Sequence, residues 1–524
     1  MIYNFNRGIG WASSGVEYAQ AYRGKVLRGS GFPCRFIYTD MFRVDNIALM
    51  TQNIGIPDEE VIWLYQFFTD FHIAKPRLSI SEFEREFLPV LENTDNPAED
   101  YSARTTVDRC EYRGKDGTHV VYAYYSHGDK SIIQKADYFL SGRLIRADYY
   151  SYGRIFSEFF SNKEDGKPTL YLREFYDEDG SVAYDEYIDG DRHVFHMKNG
   201  NIFYSKQELL CEMIRSMPFK DDDVIVVDRA TEIGQPILRN TQKGSIICVI
   251  HAEHYNAEGT TEQEILWNNY YEYAFAQTGK FSAYVASTQA QSKLLQQQFK
   301  KYRGISPLIV DIPVGNLDRL RYPEKPRKKH ALCTASRLAG EKHLDYLILA
   351  AWLAHEELPD LTLDIYGKGG LEGELRKLIS DIQAQDFIHL MGQHDMTQIY
   401  QQYSAYVSAS TSEGFGLSLM EAVGSGLPMI GFDVPYGNQT FIADGENGYL
   451  VPWEKEMGRE EGAQRIAEAI LDLFEGNKHS AFIRKSYEIA GEFLEDKTAR
   501  KWKKLFELLI KTGDGDSIAA GGNS

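Results

Sequence analysis

Short continuous apolar runs alternate with stretches of helical spacing over much of the chain. Ile2–Asn6 and Cys34–Thr39 have the length and composition of buried parallel strands, and Val16 to Leu27 carries apolar residues at the period of a helix. The same alternation returns at Val224–Val227, Ser245–Ile250 and Phe281–Ala286, with helices predicted over Glu262–Thr278 and Gln289–Tyr302. A second series of strands is predicted at Ala331–Ala335, Thr362–Tyr366, Phe387–Leu390, Ala405–Ser408 and Pro428–Phe432, again separated by helical patterns. Strands alternating with helices imply parallel sheets, whose ligands bind beyond the strands' carboxyl ends. Ile483 to Lys511 holds a helical pattern, and the amphipathic stretch around Trp502 reads as a helix packed back across the domains rather than a membrane contact.

From about 76 to 215 the period changes. His119–Tyr125, Lys135–Leu140, Leu144–Tyr150, Thr169–Phe175 and His193–Met197 are rich in Tyr, Phe, Val and Ile. They are punctuated by Asp116-Gly117, Ser141-Gly142, Asp179-Gly180, Asp189-Gly190 and Asn199-Gly200. Aromatic strands joined by such pairs predict an antiparallel meander. The predicted organisation is therefore a Rossmann-like domain in two parts (1–75 and 216–320), the meander inserted between them (76–215), and a second Rossmann-like domain (321–511). Arg321 to Lys329, with two prolines and five basic residues, reads as the interdomain linker. The polar tail 512–524 reads as disordered.

Bulk properties narrow the function. At roughly 100–200 residues per domain, 524 residues should form about three units. A net charge of −19 argues against a general nucleic-acid binder, which needs basic surface for phosphates. The five cysteines are dispersed without a CxxC pair, which favours a reducing compartment over zinc or disulfide scaffolding. The N-terminal residues lack a basic-then-apolar leader, and no run of about 20 apolar residues occurs.

The chemistry-bearing residues follow strand ends. Ala331–Ala335 runs into Ser336-Arg337-Leu-Ala-Gly-Glu-Lys342, so a forked guanidinium and a point-charge ammonium stand where a diphosphate could be held and neutralised. Alone, they could equally be surface cations at a helix entry. The glycine-rich turn at Gly367, Gly369 and Gly370 could admit a ligand close to the backbone or be a plain strand-to-helix turn. Gln393 and His394 follow another strand, where backbone could meet a base edge. The strongest signal is Glu413-Gly414-Phe415-Gly416-Leu417 through Glu421. A strand ends, a glycine-flanked loop follows, and a helix predicted from Leu417 turns its free N–H groups toward an anion. Glu413 and Glu421 lie eight positions apart, one suited to the transferred sugar and one to a ribose hydroxyl. In the first domain the loop Gly8-x-Gly10-x4-Gly15 precedes a helix whose first N–H groups, from Gly15 and Val16 through Glu17, Tyr18 and Ala19, could meet an anion. His251 ends a strand and is a candidate for the sugar, or a structural histidine. His251-Ala-Glu-His254 does not have zinc-site spacing, and Asp189/Asp191 and Asp514/Asp516 fall in turn and tail, so no metal is expected.

Arg337, Lys342 and the Glu413/Glu421 spacing resemble the donor site of retaining family-4 glycosyltransferases of GT-B architecture, two Rossmann-like domains facing a cleft. With Gly8-Ile-Gly-Trp-Ala-Ser-Ser-Gly-Val-Glu-Tyr18, His251-Ala-Glu-His-Tyr255 and the inserted meander, the whole chain more closely resembles the GtfA-type catalytic subunits of bacterial O-GlcNAc transferases. That resemblance implies UDP-GlcNAc as donor, with no metal, and Ser/Thr hydroxyls of a serine-rich-repeat adhesin as acceptor, before export by the accessory Sec system. It implies a homologous non-catalytic GtfB-type partner held through 76–215, a cytoplasmic location and at most peripheral membrane contact. It puts Arg337 and Lys342 on the diphosphate, Gln393 and His394 beside the base, Glu421 at the ribose, and His251, Glu413, Gly414, Phe415 and Gly416 at the sugar. Excising about 80–210 would then spare sugar-nucleotide hydrolysis and damage acceptor or partner binding. The rival readings are a non-catalytic GT-B-shaped polypeptide-binding subunit, a transferase acting on teichoic acid or another glycan, and a nucleotide-sugar epimerase.

Overall fold

A computed structural model describes residues 1–11, 15–43, 45–88, 101–115, 117–162, 167–476 and 478–513. Part of the predicted glycine loop (12–14), Asp116 and the tail from 514, with Asp514 and Asp516, lie outside the described residues. The chain divides into two compact units, one built from Met1–Glu17 and Phe32–Ile246, the other from Tyr18–Gly31 and Ile247–Lys511.

In the first unit, Val61–Trp63, Cys34–Tyr38, Ile2–Asn6 and Val224–Val227 run side by side, all parallel. Every residue of Ile2–Asn6 and Val224–Val227 is buried, as expected of parallel strands covered on both faces. The inserted region forms an 11-stranded sheet, an antiparallel meander running from Tyr101–Thr105 to Ile202–Phe203, with Leu78–Ser79 added against Asp129–Leu140. It is larger than the aromatic runs predicted: Tyr101–Thr105, Arg109–Gly114, Arg154–Asn162 and Val182–Asp189 are strands too. In Arg154–Asn162 and Val182–Asp189, charged residues interrupt the apolar pattern because the sheet buries those charges as pairs. Arg173 lies 2.8 Å from Glu158 and 2.7 Å from Glu186, all three buried. The glycines of the turn pairs, Gly142, Gly180, Gly190 and Gly200, take φ of 76°, 81°, 60° and 89°. Ser79 caps the helix Ile80–Glu86 in a reciprocal capping box with Glu82.

The meander shares a core with the parallel strands. Tyr65 stacks on Phe175 at 5.7 Å, Trp63 meets Phe156 edge-on at 6.2 Å, and the buried Tyr184 hydroxyl donates to the Tyr65 carbonyl at 2.5 Å.

In the second unit, residues 247–250, Ala283–Ala286 and Ile309–Asp311 are parallel neighbours. A six-stranded parallel sheet follows, in the order Ile388–Gly392, Thr362–Tyr366, Ala331–Ala335, Ala405–Ser408, Met429–Phe432, Gly448–Val451. Helices Leu344–Glu357 and Arg459–Glu475 pack on it, burying Leu347, Ile348, Ala351, Ile466 and Ile470.

Three expectations change. The helix over Glu262–Thr278 is reduced to Glu272–Ala276. Upstream, the Thr261 hydroxyl accepts from the amides of Gln263 and Glu264, and Trp267 pairs with Tyr255 in a small hairpin, giving the backbone a local alternative to helix. Ile483–Lys511 is two helices, His479–Ala490 and Glu495–Gly513, broken by a turn at Gly491–Phe493. Leu494 and Leu317 form an isolated bridge, and the Glu495 amide donates to the Leu317 carbonyl at 2.8 Å. The basic stretch Arg321–Lys329 is docked rather than loose. Arg327 donates to the carbonyls of Tyr403 and Ser425, and the amide of Arg321 to that of Gly424. Trp502 is buried, with the Arg23 guanidinium 5.5 Å from its ring, and Lys501 pairs with Asp311.

Candidate active site

The strand Ala331–Ala335 delivers Ser336 and Arg337 at its carboxyl end, and the turn Gly340–Lys342 follows. The glycine-rich turn after Thr362–Tyr366 supports this loop. Leu338 N–H donates to the Lys368 carbonyl at 3.0 Å, and a Cβ on Gly367 would stand 1.8 Å from the Ser336 carbonyl oxygen. The close approach this glycine permits is therefore to the backbone carrying Arg337.

The strand Ala405–Ser408 delivers Ser410 and Glu413, and the helix Leu417–Gly424 starts where predicted. Gly416, with φ of 86°, precedes it, and the Met420 amide closes its first turn onto the Gly416 carbonyl. The amides of Leu417, Ser418 and Leu419 have no intrahelical acceptor and form the positive end of the helix. Lys342 Nζ lies 2.6 Å from Glu413 Oε2 and 3.3 Å from Ser410 Oγ. Ser336, Lys342, Ser410, Glu413 and Ser418 line one small polar pocket. Arg337 stands apart, 74% exposed and paired with Glu341 at 2.8 Å.

The Glu413 loop is held from two sides. The amides of Tyr436 and Gly437 both donate to its carbonyl at 2.8 Å. On the other side, a Cβ on Gly414 would stand 2.6 Å from the His251 carbonyl oxygen, so the loops carrying His251 and Glu413 touch through backbone. His251 is half-buried, and its amide donates to the Tyr271 hydroxyl at 2.9 Å.

The Phe415 side chain points into the core against Phe441 and Phe493, leaving only its backbone for a ligand. Gln393 and His394 are exposed, and the His394 ring meets Tyr366 edge-on at 5.7 Å. Glu421 is half-buried, and desolvation pushes its carboxyl up to about 7, against the opposing pull of Arg321 and the Tyr400 hydroxyl. It borders a second cavity of about 160 Å³ with Tyr22, Arg321 and Tyr400. Tyr18 and Ala19 belong to the same unit as these groups; Tyr18 is exposed and Ala19 buried. Gly15, Val16 and Glu17 belong to the other unit, where buried Glu17 lies 3.4 Å from Asn6 Nδ2 and 3.9 Å from Arg229.

Sequence reasoning missed Ser410, Ser418, Tyr436, Arg321 and Tyr22. Ser418 lies inside the Glu413–Glu421 motif and Ser410 just before it, Tyr436 follows shortly after, and Tyr22 and Arg321 lie far from it along the chain. Among the described residues no group of three or more His, Cys, Asp or Glu is placed to hold a metal ion, and no helix is long and apolar enough to cross a membrane.

Two family descriptions match: "GtfA extended beta-sheet domain" over residues 102–199 and "Glycosyl transferases group 1" over 320–488. The Streptococcus agalactiae UDP-N-acetylglucosamine–peptide N-acetylglucosaminyltransferase GtfA subunit is 45% identical, covering 97% of this chain and 99% of its own. This chain belongs to the GtfA family. The pneumococcal O-GlcNAc transferase GtfA, solved with UDP and GlcNAc, superposes with a TM-score of 0.91 at 44% identity, over 97% of this chain and 99% of that one. A chain of a GtfA/B complex gives 0.89 at 43%, over 98% and 100%. The fold is thus GT-B, and the inserted meander is the GtfA family's extended sheet.

Proposed function

We propose that this GtfA-family chain transfers GlcNAc from UDP-GlcNAc, with retention and without a metal ion, to Ser/Thr hydroxyls of a serine-rich-repeat protein. It acts as the catalytic subunit beside a homologous GtfB-type partner engaged through the extended sheet, and it works in the cytoplasm before export. The relatives at 42–46% identity are GtfA subunits of UDP-N-acetylglucosamine–peptide N-acetylglucosaminyltransferases, and one neighbour of like fold is solved in a GtfA/B complex. The observation that carries the reading is the Lys342–Glu413 pair, 2.6 Å apart, beside the start of the helix at Leu417. An ammonium and free helix amides suit a departing diphosphate, and an adjacent carboxylate suits the sugar at which positive charge develops.

In this mechanism Arg337, Lys342 and the Leu417 helix end neutralise the diphosphate as the glycosidic bond breaks. The acceptor hydroxyl attacks from the same face and its proton passes to the leaving phosphate. Glu413 orients and stabilises, and His251 borders the sugar. Glu421 takes the ribose, and Gln393 and His394 meet the base. Neutralisation by side chains and helix amides removes the need for a divalent cation.

The test is a donor screen with a Ser/Thr-rich peptide, with and without a GtfB-type subunit, in EDTA. The expected result is α-linked GlcNAc on the peptide from UDP-GlcNAc only, increased by the partner, with Glu413→Gln inactive but still binding UDP. Slow UDP release from no donor would favour a non-catalytic subunit, and a requirement for Mg²⁺ or Mn²⁺ would overturn the metal-free mechanism.

A further inference from the structure

Buried His254 has no part in the mechanism above, yet it joins the two loops that meet at the site. Its Nε2 lies 2.6 Å from Gln298 Oε1. Since that oxygen only accepts, Nε2 carries the proton and Nδ1 is left as an acceptor. Facing Nδ1 are the Tyr436 hydroxyl at 3.3 Å and Gln291 Nε2 at 3.5 Å. Burial holds the imidazole neutral, pushing its pKa down to about 4, which agrees with this tautomer. The rings of His254 and Tyr436 lie 5.8 Å apart and nearly parallel. Tyr436 in turn donates its backbone N–H to the carbonyl of Glu413.

On its other side His254 belongs to the loop carrying His251. Gln291 Nε2 also donates to the Ala252 carbonyl at 2.8 Å, fixing that loop to the helix Gln289–Arg303. One chain of contacts therefore runs from Gln298 through His254 and Tyr436 to Glu413, and a parallel contact joins His251 to Gly414.

We propose that His254 and Tyr436 are positioning residues which set the distance between His251 and Glu413, the groups facing the transferred sugar, without touching the substrate. The proposal rests on the reading of Glu413 given above. A hydroxyl at position 436 matters because the buried imidazole has an acceptor aimed at it; an aromatic ring alone would fill the space. A displaced Glu413 costs turnover more than donor binding, because a shift of about 1 Å at the reacting centre can cost about 10²-fold in rate, while UDP is held by other groups.

The experiment measures kcat and KM for UDP-GlcNAc, the Kd for UDP and the melting temperature of Tyr436→Phe, with Glu413→Gln and the unaltered chain in parallel. Gln298→Met, which removes the acceptor for Nε2–H and leaves Tyr436 intact, serves if Tyr436→Phe does not fold. The expected result is a fall in kcat of about tenfold, with KM and the UDP Kd within about twofold, and hydrolysis without acceptor falling by the same factor as transfer. An unchanged kcat, or a loss of UDP affinity that accompanies a lowered melting temperature, overturns the proposal. If Glu413→Gln is itself active, the site reading fails first. If it is inactive while Tyr436→Phe is normal, only the positioning role fails.

Discussion

Lys342 Nζ stands 2.6 Å from Glu413 Oε2, with 15% and 21% of the two side chains exposed. The pair joins the strand end after Ala335 to the one after Ser408, and each member fixes the other in the polar pocket before the Leu417 helix. Removing the ammonium loses a charge-stabilising group and also frees the carboxylate. Lys342→Ala is expected to lower kcat/KM by about 10²-fold or more. Because the two groups act as a unit, the double variant with Glu413→Gln should lose much less than the product of the single losses. Steady-state kinetics of the four proteins checks this, and multiplicative losses would show that the groups work independently.

Arg337 differs in a way that separates function from stability. Its partner Glu341 sits four residues on, and both are substantially exposed. Such a pair contributes at most about 1 kcal/mol to stability. Arg337→Ala should therefore leave the melting temperature almost unaltered while lowering kcat/KM by about 10²-fold through loss of a diphosphate contact. Thermal unfolding and turnover on the same preparation decide it, and near-normal turnover would remove Arg337 from the site.

Where a residue's role follows from local chain order, the sequence was a good guide. The helix begins at Leu417 because a strand and a glycine-flanked loop precede it, and the parallel strands fall at their apolar runs. What escaped notice depends on distant partners. Glu158 and Glu186 look like surface residues until Arg173 is placed between them. Tyr436 gives no local sign that its amide holds Glu413. The five basic residues between Arg321 and Lys329 suggested an open linker, whereas Arg327 reaches the carbonyls of Tyr403 and Ser425. Charge alone cannot show whether a carbonyl awaits it.

The extended sheet illustrates the same limit. As a simple insertion, the meander could be excised over about 80–210 with sugar-nucleotide hydrolysis spared and only acceptor or partner binding damaged. Phe175 stacks on Tyr65, and Tyr184 meets Phe68 edge-on and donates its hydroxyl to the Tyr65 carbonyl. Tyr184→Ala is expected to destabilise the chain by about 3–5 kcal/mol, the scale for a large buried aromatic. Tyr184→Phe should cost about 1–3 kcal/mol by leaving the Tyr65 carbonyl without its donor. Denaturant titration measures both. The whole excision should then give an aggregation-prone protein, and a well-folded deletion with a normal melting temperature would contradict the shared core.

Glu421 allows a prediction about pH. Its ordinary value of 4.5 is raised to about 7 in the folded chain, chiefly by desolvation. Between these two values the folded state holds a proton that the unfolded state has released. Stability therefore falls as pH rises through that window, and the loss is complete above about 7. At about 1.4 kcal/mol per unit, full ionisation at high pH costs on the order of 3 kcal/mol. Glu421→Gln has no such proton to lose. The variant should match the unaltered chain near pH 4.5 and exceed it in melting temperature at pH 8, the gap opening between pH 5 and 7. A gap that stays constant over that range would show that Glu421 is charged throughout. The same substitution should weaken UDP, because a carboxylate is the better acceptor for a ribose hydroxyl. Greater stability at pH 8 with poorer nucleotide affinity would then mark a half-buried acid kept for binding at a cost to the fold.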